Sequence, residues 1–378
     1  MKICFVALEI LGPFSGGGIA TALAGQAEHH AQNHDVTVLY VHPNLAAEDA
    51  AQWQDYYAER NITFVRADFD SFYPQNTIPK RSFAVKQYLE AWDQSFDAIF
   101  FHDYLGLGYY TALARRLGLG FENVHLGTVV HGPSEWARTL NMVGDDVDNI
   151  SLYEMERKQA EYSDFIVAPS QQILDWCTEQ GWVLPENSRA ISNLLPNRID
   201  LHSGLETGER LEGLDEVVFF GRLEIRKGFF TFLDAIKYMH KHGLQIPKKI
   251  TFLGAFCTNS DRNSASTVLE YAEGWDCDVQ LLNNYDHEEA IKYLIANRPL
   301  TVVPSVDESF GLTAYECLAF GIPTLFSDRG ALSTLPTEAE RAAVLFDPKP
   351  NILGERIAQV LREGIVIAGV HETHRKAG

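Results

Sequence analysis

Short apolar runs alternate with amphipathic segments along the chain. The first run, residues 2–8, is followed by a glycine-rich loop and by a helical pattern that begins near Ile19. Strands buried on both faces read as continuous apolar runs, whereas helices repeat apolar residues every three or four positions. Further strands are predicted at 36–41, 62–65, 98–101, 124–130 and 165–168, and helices at 83–92, 109–117 and 149–161. This alternation predicts a parallel, doubly wound α/β sheet, with ligands at the carboxyl ends of its strands.

The second half of the chain repeats the pattern after a polar, glycine-containing linker at 201–216. Strands are predicted at 217–220, 249–253, 279–282, 301–303 and 322–326, and helices at 230–239, 289–295, 312–319 and 352–362. A chain of 378 residues has the length of two ordinary domains. We therefore expect two Rossmann-like domains, at 1–200 and 201–358, followed by a tail at 359–378.

The composition is that of a globular protein and narrows the choice of partners. Lys and Arg number 31 against 51 Asp and Glu, which gives a formal net charge of −20 and argues against nucleic acid as the main partner. No apolar run approaches the length of a membrane span, and no signal peptide is recognisable, so a cytoplasmic protein is expected. The five cysteines are scattered without a C-x-x-C pair, which predicts reduced thiols rather than a disulfide or zinc framework.

The stretch from 300 to 336 carries the most specific chemistry. A buried strand ends at a proline, a polar turn containing Glu308 follows, and a helix that contains Glu316 begins. The backbone amides near Phe310, Gly311 and Leu312 are expected to be free helix-terminal donors, which suit a diphosphate. Carboxylates do not bind phosphate, so the two glutamates are expected to face the hydroxyls of a nucleotide sugar. The alternative is a capping glutamate followed by a solvated one.

Two motifs resemble those of GT-B glycosyltransferases of the retaining family 4 type. The first is E-x7-E, from Glu308 to Glu316 with S-F-G-L between them. The second is G-R-L-x-x-x-K-G, in which Arg222 and Lys227 lie five positions apart across a turn. Both cations can converge on one diphosphate, Arg through bidentate contacts and Lys as a mobile point charge. The alternative is a pair of solvated loop cations.

The glycine-rich loop after the first strand contains Gly16, Gly17 and Gly18. It fails the dinucleotide-binding fingerprint, because Thr21 stands where the third glycine belongs. The loop resembles the first loop of GT-B enzymes, whose amides face the donor diphosphate and the acceptor. A tight strand-to-helix turn is the structural alternative.

Histidines mark the ends of two strands in the first half. The sequence T-V-V-H-G-P at His131 resembles the strand-end histidine that family 4 enzymes place beside the transferred sugar. His102 and Asp103 follow the preceding strand and are expected on the acceptor side. A histidine at an apolar strand end is often only structural, and that alternative stays open.

The resemblance implies a GT-B fold that needs neither a metal nor a cofactor. Asp68-Phe69-Asp70 spells D-x-D, a metal-nucleotide signature of a different fold, but it lies far from the donor motifs and is interpreted as a solvated loop. The family often has Asn-Gly where this chain has Asn197-Arg198, so the turn there is uncertain. The basic tail at 371–378 reads as the beginning of another helix, which leaves open further domains beyond the C-terminus.

The implied activity is retaining transfer of a sugar from a nucleoside-diphosphate sugar to a hydroxyl acceptor: a glycan, a lipid-linked sugar or a small molecule. Arg222, Lys227 and the amides near Gly311 are expected to stabilise the leaving diphosphate. Glu308 is expected to hold the sugar, Glu316 the ribose, and His131 to orient the sugar. Two alternatives remain: a GT-B sugar-nucleotide epimerase, and a non-catalytic nucleotide-sugar-binding module of a larger protein. No residue identifies the base, the sugar or the acceptor.

Overall fold

The chain folds into two compact α/β units. The structure is a computed structural model that describes residues 1–14, 16–68, 77–92, 95–196, 204–259, 262–371 and 374. Unit 1 comprises Met1–Arg138 and Gly144–Asn197, and unit 2 comprises Arg198–Lys376 together with Thr139–Val143. The main division along the chain thus falls between residues 197 and 198.

Strands and helices alternate through unit 1, as the apolar pattern predicts. In chain order, the elements are β1 Lys2–Ala7, α1 Gly18–His30, β2 Asp35–Tyr40, α2 Ala47–Ala58, β3 Ile62–Arg66, α3 Ile78–Ala91, β4 Ala98–His102, α4 Tyr109–Arg116, β5 His125–Val129, α5 Ser134–Leu140, α6 Val147–Glu161, β6 Phe165–Ala168, α7 Gln171–Glu179 and β7 Ser188–Ala190.

Unit 2 follows the same scheme, with additional short strands. Its elements are β8 Arg210–Leu211, β9 Glu216–Phe220, α8 Phe229–Lys241, β10 Lys249–Leu253, β11 Thr258–Asn259, β12 Arg262–Asn263, α9 Ser264–Ala272, β13 Asp278–Leu282, α10 His287–Asn297, β14 Leu300–Val303, α11 Leu312–Ala319, β15 Thr324–Ser327, α12 Arg341–Val344, β16 Leu345–Phe346, α13 Pro350–Glu363 and β17 Ile365–Val366.

Each unit is built on a parallel sheet, which confirms the expected class of two Rossmann-like domains. The strand order is β3-β2-β1-β4-β5-β6-β7 in unit 1 and β13-β10-β9-β14-β15-β16 in unit 2. In both sheets the order reverses at one point, between β1 and β4 and between β9 and β14. Open α/β sheets bind ligands outside the carboxyl ends of the strands at such a point. The topology therefore predicts ligand sites at the loops after these four strands.

The strands at the centre of unit 2 are buried because they are covered on both faces. All four residues of β14 are at most 1% exposed, and Phe219, Phe232 and Phe252 pack against one another in the core beside it. Buried strands of this kind make a rigid base for the loops that follow them, and rigid elements hold functional side chains more accurately than loops alone do.

The pattern misplaced several elements near the ends of unit 2. The stretch expected to be a linker contains β8, which pairs antiparallel with β17. The boundary expected at residue 358 lies inside α13, and the residues that follow α13 remain part of unit 2 through the bridge between Pro336 and Val370. A two-residue strand carries no periodicity, so its partner could not be found from spacing. Asn197 and Arg198, and most of 371–378, lie outside the described residues.

Candidate active site

Unit 2 brings charged side chains together at the carboxyl ends of β9 and β14. Lys227 donates from Nζ to Oε1 of Glu308 at 2.5 Å, and Arg226 donates from Nη1 to Oε2 of the same carboxylate at 3.2 Å. The hydroxyl of Ser305 adds a bond to Oε1 at 2.7 Å. Glu308 is only 4% exposed. Burial alone would raise the pKa of Glu308, but Lys227 and Arg226 lower it to about 2, so the carboxylate is ionised.

Close backbone packing brings the two loops together. Gly228 ends the 3₁₀ turn Ile225–Lys227 with a φ of +74°, and a Cβ at this position would lie 1.9 Å from the carbonyl oxygen of Pro304. Beside it, the amide of Val306 donates to the carbonyl of Arg226 at 2.8 Å. Only glycine fits both the left-handed conformation and this approach. The contact between Lys227 and Glu308 therefore depends on this glycine.

Arg226 is the most deeply buried cation of this loop. It is not among the fixed residues of the G-R-L-x-x-x-K-G motif. Its guanidinium is bonded to Glu308 and, through Nη2, to Oε1 of Glu224 at 3.0 Å. Arg222 is bonded to the same oxygen of Glu224 at 3.0 Å, although 55% of its side chain is exposed. Three cations and two carboxylates thus form one network with an excess positive charge. An arginine inside a polar turn carries no signal of burial, so sequence reasoning could not distinguish it from its neighbours.

The start of α11 has the geometry expected of an anion-binding helix end. Gly311 precedes the helix with a φ of +86° and, as the N-cap residue, makes no side-chain capping bond. The first amides of a helix have no intrahelical acceptor and carry the positive end of the helix dipole. A Cβ at Gly311 would lie 2.2 Å from Cδ2 of Leu332. Packing therefore favours glycine at this position, whether or not a ligand approaches its backbone. The side chain of Phe310 is 2% exposed and packs on Tyr315, so only its backbone is available to a ligand.

Glu316 is also buried, at 2% exposed, and is held by a histidine that sequence reasoning did not single out. Nε2 of His287 lies 2.7 Å from Oε1 of Glu316. His287 is the first residue of α10, which begins with a capping box between Asp286 and Glu289. A rigid helix start therefore orients this carboxylate. The burial of Glu308 and Glu316 rules out the alternative in which the second glutamate of the motif is solvated.

Unit 1 places its glycine-rich loop at the carboxyl end of β1. The helix α1 begins at Gly18, and its cap residue, Gly17, makes no side-chain capping bond. A Cβ at Gly17 would have no atom of the described chain within 4 Å, whereas one at Gly16 would lie 2.2 Å from Cβ of Ala20. Packing therefore explains Gly16 but not Gly17, which is exposed with open space beside it.

His102 and His131 form a contact at the ends of β4 and β5. Nδ1 of His102 lies 2.6 Å from Nε2 of His131. His102 is 4% exposed, whereas His131 is half-buried. Burial lowers the pKa of His131 to about 4, and burial together with the neighbouring His131 lowers the pKa of His102 well below its usual value. Both imidazoles are therefore neutral near pH 7.

Asp103 lies beneath the turn that follows β5. Its Oδ2 accepts a bond from the amide of Gly132 at 3.1 Å, and the residue is 1% exposed. Burial raises the pKa of Asp103 to about 6, although backbone amides around it act in the opposite direction. The side chains of His102 and Asp103 are both buried and support the turn at His131. Their expected place on the acceptor side stays a prediction.

The remaining sequence signals do not add a site. Among the described residues, no group of three or more His, Cys, Asp or Glu side chains could hold a metal ion. Phe69 and Asp70 of the D-x-D sequence lie outside the described residues. Of the helices in the described part of the chain, none is long and apolar enough to cross a membrane.

Two family models match consecutive parts of the chain. Glycosyltransferase Family 4 matches residues 16–195, and Glycosyl transferases group 1 matches residues 208–376. The chain belongs to the GT-B glycosyltransferases. It is therefore a transferase that uses a nucleotide-sugar donor. No curated protein sequence matches it.

Solved structures of glycosyltransferases have the same fold as this one. A sucrose-phosphate synthase from Thermosynechococcus elongatus is 19% identical, with a TM-score of 0.66 over 95% of this chain and 89% of its own. Anabaena HepE, solved with UDP and glucose, is 16% identical, with a TM-score of 0.67 over 100% of this chain and 94% of its own. The catalytic domain of starch synthase IV from Arabidopsis thaliana, solved with ADP and acarbose, is 14% identical, with a TM-score of 0.63 over 96% and 92%. At these identities the likeness shows the fold alone.

Proposed function

We propose that this GT-B glycosyltransferase moves a sugar from a nucleoside-diphosphate sugar to a hydroxyl acceptor with retained anomeric configuration and without a bound metal. The observation that carries the proposal is the position of Glu308. It is an ionised carboxylate between Lys227 and Arg226, in the turn directly before the start of α11, whose N-cap residue is a glycine. Cations and helix amides suit the diphosphate, and an acceptor-only carboxylate suits sugar hydroxyls.

Departure of the diphosphate is the step of the reaction that most needs catalysis. The charge of the diphosphate builds as the bond between the anomeric carbon and the phosphate oxygen breaks. The ammonium of Lys227 has three N–H groups, so it can contact Glu308 and a phosphate oxygen together. Arg222 is more than half exposed and offers a planar guanidinium. Donors fixed in advance around developing charge are usually the largest single contribution to catalysis.

The two glutamates would bind different parts of the donor. Glu308 would accept bonds from hydroxyls of the transferred sugar. Glu316, oriented by His287, would accept bonds from the ribose diol. Both carboxylates are already held in place, Glu308 by Lys227, Arg226 and Ser305 and Glu316 by His287, which reduces the entropy lost when a hydroxyl binds.

Retention is supported by the electrostatics of Glu308. A general base works best when its pKa lies near the operating pH, and a carboxylate with a pKa of about 2 is a weak base. Glu308 would therefore not take the acceptor's proton. In the same-face scheme that the family resemblance implies, this proton would pass to an oxygen of the departing phosphate. In this scheme the donor C–O bond breaks with its electron pair on the diphosphate, and the acceptor oxygen bonds to the anomeric carbon. His131, neutral and half-buried in unit 1, would orient the sugar.

The test is the stereochemistry of the product. Purified protein would be incubated with UDP-, ADP- and GDP-linked sugars and a panel of sugar and lipid-linked acceptors. The anomeric configuration of the first product formed would then be read by NMR. We expect the product to keep the configuration of the donor. An inverted product would contradict the proposal, and release of an epimerised nucleotide sugar without transfer would replace it by the epimerase alternative.

A further inference from the structure

The two histidines of unit 1 meet edge to edge. Their nitrogens are 2.6 Å apart, their ring planes differ by 15°, and their centroids are 4.8 Å apart. Parallel rings packed face to face keep all their atoms at van der Waals separation, about 3.5 Å or more. The short contact therefore lies close to the plane of both rings, which is the geometry of an N–H···N hydrogen bond.

One of the two nitrogens in this contact must carry a proton and the other must not, so that one ring donates and the other accepts. Two N–H groups pointing at each other would repel, and so would two lone pairs. Since both imidazoles are neutral near pH 7, each ring carries one N–H and one lone pair. Either His102 donates from Nδ1, or His131 donates from Nε2.

The other nitrogen of His102 decides between these two arrangements. Nε2 of His102 is buried and has no hydrogen-bond partner among the residues that the structure describes. If His131 donated, the proton of His102 would sit on this nitrogen as an orphaned buried N–H. If His102 donates, Nε2 is only an unpaired acceptor. Orphaned buried N–H groups are the rarer of the two in folded proteins.

We propose that His102 is a positioning residue that donates from Nδ1 to Nε2 of His131 and thereby fixes the proton of His131 on Nδ1. His131 then presents a hydrogen-bond donor at its remaining nitrogen rather than an acceptor. The ligand group it selects is an oxygen with a free lone pair, such as a hydroxyl or ring oxygen of the transferred sugar. This last step rests on the proposed function, whereas the tautomer itself does not.

The backbone beneath the pair supports a fixed role. The carbonyl of His102 accepts a bond from Nε2 of Gln159 at 2.9 Å, and Asp103 holds the amide of Gly132 on the far side of His131. Both strand ends are thus tied down by buried polar groups.

The experiment reads the tautomer directly. The protein would be prepared with ¹⁵N-labelled histidine, and long-range ¹H–¹⁵N correlation spectra would show which nitrogen of each ring carries the proton. The signals of His131 would be assigned by their loss in His131→Gln. We expect the proton of His131 on Nδ1 in the unaltered protein. A proton on Nε2 of His131 would overturn the inference.

Variants of His102 then test its role as the cause. His102→Leu removes the donor, so His131 should become a mixture of tautomers, and kcat/KM should fall about two- to tenfold, as for loss of one hydrogen bond. His102→Asn keeps an amide donor near the position of Nδ1 and should restore both the single tautomer and most of the activity. His125→Leu, on the same sheet with 72% of its side chain exposed, is the matched control and should change neither. An unchanged His131 tautomer in a folded His102→Leu protein would refute the inference.

The tautomer of His131 and its role toward the sugar can be tested separately. If His131 keeps its proton on Nδ1 but a His131→Ala variant transfers sugar at the full rate, the positioning step toward the sugar is refuted together with the proposed role of His131. If the tautomer is wrong but His131→Ala is inactive, the proposed function survives and His102 is only a packing residue.

Discussion

The two units place their candidate site residues at similar positions of their sheets, but these residues differ in charge. Both place chemistry-bearing residues after strands at or beside the point where the strand order reverses. In unit 2 those residues are charged: Glu308 is kept ionised between Lys227 and Arg226. In unit 1 the two histidines are neutral, because burial keeps the imidazoles of His102 and His131 unprotonated.

The difference shows what each site can bind. A network with excess positive charge is suited to an anion and becomes more effective as charge develops on a leaving group. A neutral imidazole pair discriminates by the direction of its hydrogen bonds rather than by charge. We therefore expect the donor diphosphate to bind in unit 2, and an uncharged hydrogen-bonding group to bind at the histidines of unit 1. The following substitutions test this division, from the largest expected effect to the smallest.

Arg226→Met should have the largest effect on stability. It would leave Glu308 and Glu224 buried with one partner fewer each, and breaking a buried ion pair from one side typically costs about 3–5 kcal/mol. Chemical unfolding followed by circular dichroism would measure the loss. Arg262→Met, in an exposed pair with Glu270, is the control and should lose less than about 1 kcal/mol. Equal stability of the two variants would mean that Arg226 does not support Glu308.

Glu308→Gln should have the largest effect on catalysis. The amide keeps the shape of the side chain but removes the charge that sugar hydroxyls would meet, so transfer at saturating donor should fall on the order of a hundred- to a thousandfold. Affinity for free nucleoside diphosphate should stay nearly the same, because the cations remain. Steady-state kinetics and calorimetry separate the two effects, with the exposed Glu338→Gln as the control. If the variant lost diphosphate binding but kept its full turnover, Glu308 would contact the diphosphate and not the sugar.

Lys227→Ala and Arg222→Ala should differ in stability. Lys227 is bonded to a buried carboxylate, so its removal should cost about 1.5–3 kcal/mol, as for a hydrogen bond to a charged group. Arg222 is more than half exposed, and its loss should cost less than about 1 kcal/mol. Thermal melts of both variants would show the difference. Equal melting temperatures would indicate that Lys227 is as solvated as Arg222.

Excess chelator should have no effect on transfer, the smallest change expected. Three cations stand where other folds place a metal, and each can neutralise phosphate charge. Activity would be measured before and after prolonged treatment with EDTA. A loss that manganese restores would show that these cations are insufficient.

The sequence predicted most of the architecture because buried parallel strands and amphipathic helices leave strong periodic signals. It also singled out Glu308, Glu316, Arg222 and Lys227 by their spacing, and the structure brings Glu308, Lys227 and Arg222 into one network. The partners of these residues, Arg226 and His287, escaped prediction, because they act through contacts between segments distant in the chain. Spacing also could not predict burial. The motif treats Lys227 and Arg222 alike, yet the structure buries most of Lys227 and leaves more than half of Arg222 exposed.

The most direct test of the account is titration calorimetry of UDP, ADP and GDP in the presence of EDTA, with the unaltered protein, Lys227→Ala, Arg222→Ala and the control Arg262→Ala. If unit 2 binds a diphosphate through these cations, at least one nucleotide should bind without metal. Each of the two site variants should then weaken binding by about 1.5–3 kcal/mol, or roughly ten- to a hundredfold, whereas Arg262→Ala should not. Unchanged affinity in folded Lys227→Ala and Arg222→Ala proteins would contradict the account and place the donor elsewhere.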